Sequence, residues 1–174
     1  MSTQATVGIK ALYYKVLTAQ EIAAGTMPSS GFQPVDVYQD TATFKESDGS
    51  VTTHKSETSS KKIVVRTRGD KQLAFSIMDP SMSERAAFCG GTYTPAGTSP
   101  ATAATYEDPE TYAPIKMAII VLPDEGDALH IIRADVVGKI NTTYAKTGIT
   151  LLEVTADPET KIKYTTDQAI PGQN

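Results

Sequence analysis

Short runs in which apolar and polar residues alternate with a period of two dominate the chain and predict β-strands. Residues 7–17 form the first such run. Thr18 and Glu21 then stand at capping-box spacing, and Gly25 supplies a stop, so a short helix is predicted over residues 19–24. Residues 28–31 read as a turn. Residues 35–46 and 51–58 are two further strand runs, separated by Ser47, Asp48, Gly49 and Ser50. Asp-Gly between strand runs is the strongest short hairpin signal, because a type I′ turn needs positive φ at both central residues. With Asp48 and Gly49 as that turn, Glu46 faces Val51, Lys45 faces Thr52, Phe44 faces Thr53 and Thr43 faces His54. One face of this hairpin then carries Thr43, Lys45, Thr52 and His54. The other carries Phe44 and Val51 among polar neighbours. A two-stranded ribbon of this kind is marginal alone and needs something to lean on, such as a neighbouring subunit.

Ser59 and Ser60 break the pattern, and residues 62–66 and 72–77 follow as strands on either side of Gly69 and Asp70. Ser81 and Glu84 form a second capping box, and Gly90 and Gly91 end the helix that it opens. Cys89 reads as a small core residue at the end of that helix. Residues 92–114 lack an apolar period and are too long for an ordinary connection, so they read as an exposed, flexible loop. Residues 115–122 form a nearly continuous apolar run, expected as a central strand. Residues 129–140 and 149–155 are two more strands, and a polar tail is expected from residue 158 to residue 174. The sum is a mainly β fold: an antiparallel sandwich or small barrel with one or two short helices and a long hairpin. A chain of 174 residues fits one domain.

Composition narrows the function. The net charge of −4 excludes a generally basic nucleic-acid binder. The single cysteine excludes an intrachain disulfide and a cysteine-held zinc, and two histidines exclude a histidine-rich metal site. The longest apolar runs fall far below the ~18–20 residues that span a bilayer. With a polar opening segment, this sets the expectation of a soluble protein made in a reducing cytoplasm. No phosphate loop, dinucleotide fingerprint, HExxH or GxSxG pattern is present. His130 reads as a hydrogen-bonded or interface histidine in a strand. The acidic run 124–127 reads as a charged turn, without the ligand spacing of a calcium loop. No catalytic residue, cofactor site or metal site is expected.

With no chemistry to place and a hairpin in need of a partner, the pattern points to assembly. The order of elements resembles the tail tube proteins of long-tailed bacteriophages, a family that shares its fold with the tube protein of type VI secretion systems. The resemblance rests on a long hairpin over residues 36–58, the strand Leu73-Ala-Phe-Ser-Ile77 and the short helix Glu84-Arg-Ala-Ala-Phe-Cys-Gly-Gly91. It continues through a variable loop, the strand Ile115-Lys-Met-Ala-Ile-Ile120 and a closing pair over residues 131–138 and 149–155. It spans roughly residues 6–157. It implies a single tube-like domain whose copies form stacked, hexameric rings around a channel for DNA delivery. The implied partners are further copies of the chain, other tail proteins and DNA that passes without sequence-specific binding. The implied location is the virion tail, assembled in the bacterial cytoplasm, with no membrane partner and no cofactor.

A closed ring gives each edge strand a partner, which suits this sequence. On this reading Thr43, Lys45, Thr52 and His54 point into the channel, Phe44 and Val51 pack on the body, and Asp48 and Gly49 form the hairpin tip. Residues 1–6, 92–114 and 158–174 are expected to clasp adjacent rings. The alternative is a monomeric β-sandwich binding or adhesion module of a virion or secreted assembly, marked by a concave apolar pocket.

Overall fold

Leu73, Phe75 and Ile77 alternate with Gln72, Ala74 and Ser76, and this period sends the first three to the interior of a sheet. The same logic builds most of the molecule. A computed structural model describes residues 6–173. Its elements in chain order are β1 (Ala11–Val16), α1 (Ala19–Ala24), β2 (Gln33–Val35), β3 (Thr43–Glu46), β4 (Ser50–Lys55), β5 (Lys62–Thr67), β6 (Lys71–Met78) and α2 (Met82–Cys89). There follow β7 (Thr92–Thr94), β8 (Gly97–Thr98), β9 (Ala101–Thr102), β10 (Thr105–Glu107), β11 (Ile115–Leu122), β12 (Ala128–Thr142), β13 (Thr150–Pro158) and β14 (Ile162–Thr165).

The fold is mainly β and antiparallel. An eight-stranded sheet runs β2-β1-β11-β12-β13-β6-β3, with β14 pairing β12 beyond the end of β13. Its two ends meet at one isolated bridge, Val37 to Ile77, so the sheet curls without closing into a barrel. The concave side holds the main core: Leu12, Leu73, Ile77, Met117, Ile119, Ile131, Val136, Leu152 and Val154, all nearly inaccessible. Each fully buried side chain of this kind contributes ~1.5–3 kcal/mol. Helix α2 drives Phe88 into this core, where its ring lies 4.6 Å from that of Tyr14 and 6.2 Å from that of Phe75. A smaller second core forms on the other side of β11 and β12. There Ala118, Ile120, Leu122 and Ala128 are covered by Phe32 and Ile170.

Both helices begin and end as their caps dictate. Thr18 with Glu21, and Ser81 with Glu84, make reciprocal capping boxes, and Gly25 closes α1 in the left-handed region. Two expectations fail. Residues 92–114 are not an unstructured loop: β7 pairs β10, β8 pairs β9, and the Tyr106 hydroxyl donates to the Gly90 carbonyl at 3.1 Å, tying this hairpin to the end of α2. Thr-Tyr-Thr and Thr-Tyr-Glu are short alternating segments, and their threonine and tyrosine side chains suit paired strands. Nor are residues 158–174 simply a polar tail, since β14 extends the sheet and Ile170 anchors the second core. Apart from Thr6, the N-terminal segment expected to clasp a neighbouring ring lies outside the described residues.

Candidate assembly interface

The pairing expected around Asp48 and Gly49 does not form. β3 pairs with β6, setting Thr43 opposite Ala74, Phe44 opposite Leu73, Lys45 opposite Gln72 and Glu46 opposite Lys71. β4 pairs with β5, setting Val51 opposite Arg66, Thr52 opposite Val65, Thr53 opposite Val64 and His54 opposite Ile63. One register runs through both ladders, so residues 43–55 and 62–74 form one long arm whose turn lies at residues 56–61. The physical reason is burial. A turn at Asp48-Gly49 sets Phe44 against Thr53, whereas the observed pairing sets it beside Leu73, against the main core.

Asp48 and Gly49 instead sit at a waist midway along the arm. Gly49 does not use positive φ. Its missing Cβ serves a different end: a Cβ there would fall inside 3.0 Å of the Thr67 carbonyl oxygen, and one on Gly69 inside 3.0 Å of the Ser47 carbonyl oxygen. Two backbones therefore pass within a distance that only glycine permits. Ser47 N–H donates to the Asp70 carbonyl at 2.8 Å, and Asp70 N–H donates to Ser47 Oγ at 2.9 Å. Beside them the Arg68 guanidinium grips the Glu46 carboxylate with two of its nitrogens, Nε donating to Oε1 and Nη2 to Oε2 at 3.0 Å. That contact holds the Glu46 carboxyl below its ordinary range.

Beyond the waist, β4 and β5 pack chiefly on each other, and all twelve of their residues are exposed. Val51, Ile63, Val64 and Val65 are 58, 51, 43 and 49% exposed. Val65 and Ile63 share one face with Thr52 and His54, while Val51 and Val64 share the other with Thr53 and Arg66. Of the expected site residues, Phe44 packs on the body and Val51 does not. Thr43 and Lys45 lie at the arm's root on the sheet, and Thr52 and His54 lie on the free ribbon, so the four do not form the single polar face expected of them.

The ribbon is also set apart by charge. Residues 50–67 carry Lys55, Lys61, Lys62 and Arg66 against Glu57 alone, a formal +3, which leaves −7 on the rest of a chain of net −4.

A second feature borders the arm's root. A half-open cleft of about 460 Å³ is lined by Ile9, Ala42, Phe44, Leu73, Val121 and Leu129, with Asp40 and Asp127 among its polar lining residues. Sequence reasoning missed it, because its walls come from five separate segments. A third feature is the side of β13 and β6 opposite the core. It presents Glu153, Thr155 and Asp157 beside Ser76, Ala74 and Gln72, with Gln72 Nε2 donating to Asp157 Oδ1 at 2.9 Å. Thr43 and Lys45 continue these rows on β3.

Cys89 is half-buried, and burial together with the Asp108 carboxylate pushes its thiol up, opposite to an activated nucleophile. His130 Nε2 is buried and has no hydrogen-bond partner among the described residues, contrary to the hydrogen-bonded reading. Its pKa is lowered by burial first and by Lys163 second, with Asp167 opposing. Among the described residues no three His, Cys, Asp or Glu side chains converge as a metal site, and no helix is long and apolar enough to cross a membrane. Searches against protein-family models and against curated proteins return no match.

Proposed function

We propose that this chain is the structural subunit of a phage tail tube, assembling into stacked, six-membered rings; the carrying observation is the ribbon β4–β5, which exposes four β-branched apolar residues and whose two strands pack chiefly on each other. Such a ribbon is marginal in water, and its unpaired edges are templates for another strand. A ring of identical subunits supplies that partner and closes on itself. The uncovered polar face of β13, β6 and β3 suits the wall of a wet channel, with Thr43 and Lys45 pointing into it. The acidic body favours the passage of DNA without retention, because few phosphates are neutralised. On this reading the partners are further copies, other tail proteins and transiting DNA, and the site of action is the virion tail.

The test is size-exclusion chromatography with negative-stain microscopy over rising protein concentration. Rings or hollow filaments are expected, and a monomer at every concentration contradicts the reading. The alternative, a monomeric β-sandwich binding module, is favoured by the apolar cleft, whose volume lies within the ~300–1,000 Å³ range of small-molecule sites.

A further inference from the structure

The cleft and the ribbon are complementary. The cleft is apolar inside, with two exposed carboxylates, Asp40 and Asp127, at its border. One face of the ribbon is apolar along Val65 and Ile63 and ends at Lys61, opposite Ser56, with His54 alongside Ile63. The formal charges are opposed as well, +3 on the ribbon against −7 on the remainder. A chain's own ribbon does not fill its own cleft, since none of the residues lining it comes from β4 or β5.

We infer that the cleft is the receptor for the ribbon of a second copy, which inserts Ile63 and Val65 against the part-exposed Ile9, Ala42, Phe44 and Val121 and sets Lys61 against Asp40 and Asp127. This rests on the self-assembly reading and adds to it the surface that receives the arm. Insertion removes from water the apolar area that both partners leave exposed, and this supplies the affinity. The ion pairs at the rim set orientation and encounter rate. The contact is heterologous, one patch meeting a different patch, as a closed ring or a stack requires.

The experiment places a photo-crosslinking amino acid at position 63 and maps the products by mass spectrometry in a mixture of isotopically heavy and light protein. Heavy–light crosslinks to the segments holding Ile9, Phe44 or Leu129 are expected. Heavy–light crosslinks confined to other surfaces overturn the cleft assignment while leaving self-assembly intact. No heavy–light crosslink, with the protein monomeric up to the highest concentration reached, overturns both. A charge-swap series adds a readout that does not depend on the probe. Lys61→Asp lowers the crosslink yield roughly two- to fivefold, as an exposed ion pair allows, and Asp127→Lys in the same chain restores it. Absence of restoration, with both variants folded by circular dichroism, counts against the proposed pairing.

Discussion

Gly69 lies so close to Ser47 that a Cβ on the glycine would fall inside 3.0 Å of the serine's carbonyl oxygen. This approach defines the waist that separates the arm's root from its free ribbon, and Gly49 makes the matching approach to Thr67. Gly69→Ala therefore forces the two backbones apart, at a cost of ~1–3 kcal/mol typical of overpacking. The loss is local. Hydrogen exchange at the Ser47 and Asp70 amides is expected to quicken strongly, while the amides of β11 and β12 keep their protection.

Acid is expected to loosen the same waist. The Glu46 carboxyl is held low by Arg68, so the folded pKa lies below the unfolded one. The contribution is present above the unfolded value, about 4.3 for glutamate, and is lost as pH falls through the folded value. Exchange at the waist amides should rise across that window in the native chain. Glu46→Gln should show fast exchange already at neutral pH and no further acid step.

His130 sets a second pH dependence with a different window. Its folded pKa is lowered, chiefly by burial, so the unfolded state takes up a proton first as pH falls. Global stability is expected to decline below about pH 6.5, the ordinary histidine value, and to continue declining until the folded value is passed. Denaturant titrations across this range check it, and His130→Gln should flatten the slope.

Phe88 is the side chain through which α2 is fastened to the sheet, fully buried between Tyr14 and Phe75. Phe88→Ala is expected to cost ~3–5 kcal/mol by loss of apolar contact and creation of a cavity. Thermal unfolding should report the loss. The ribbon, which does not pack on α2 to any extent comparable with β12, should keep its exchange pattern wherever the body remains folded.

Local chemistry made much of the fold legible in the sequence. Thr18 with Glu21 and Ser81 with Glu84 fixed both helix starts, because a capping box satisfies backbone donors whatever surrounds it. The run 115–122 revealed the central strand because its apolar residues are nearly continuous. The arm was misread where one local signal had two physical uses. Asp48-Gly49 fits a tight turn, yet Gly49 serves close backbone approach, a role that depends on a strand some twenty residues away. The overlooked signal was Gly69, which faces the waist from the other strand, together with the polar run 56–60 midway between two strand runs of similar length. Phe88 was not singled out, because position along a short helix does not settle which of its residues points inward. The cleft left no trace in any single segment.

The most direct test of self-assembly compares the native chain with a variant in which residues 50–67 are replaced by a short turn joining the two sides of the waist. Since β4 and β5 pack chiefly on each other, the body of this variant should fold as before. Sedimentation velocity at matched, high concentration is expected to show large species for the native chain and a monomer for the variant. Identical sedimentation of the two would contradict the claim that the ribbon is completed by another copy of the molecule.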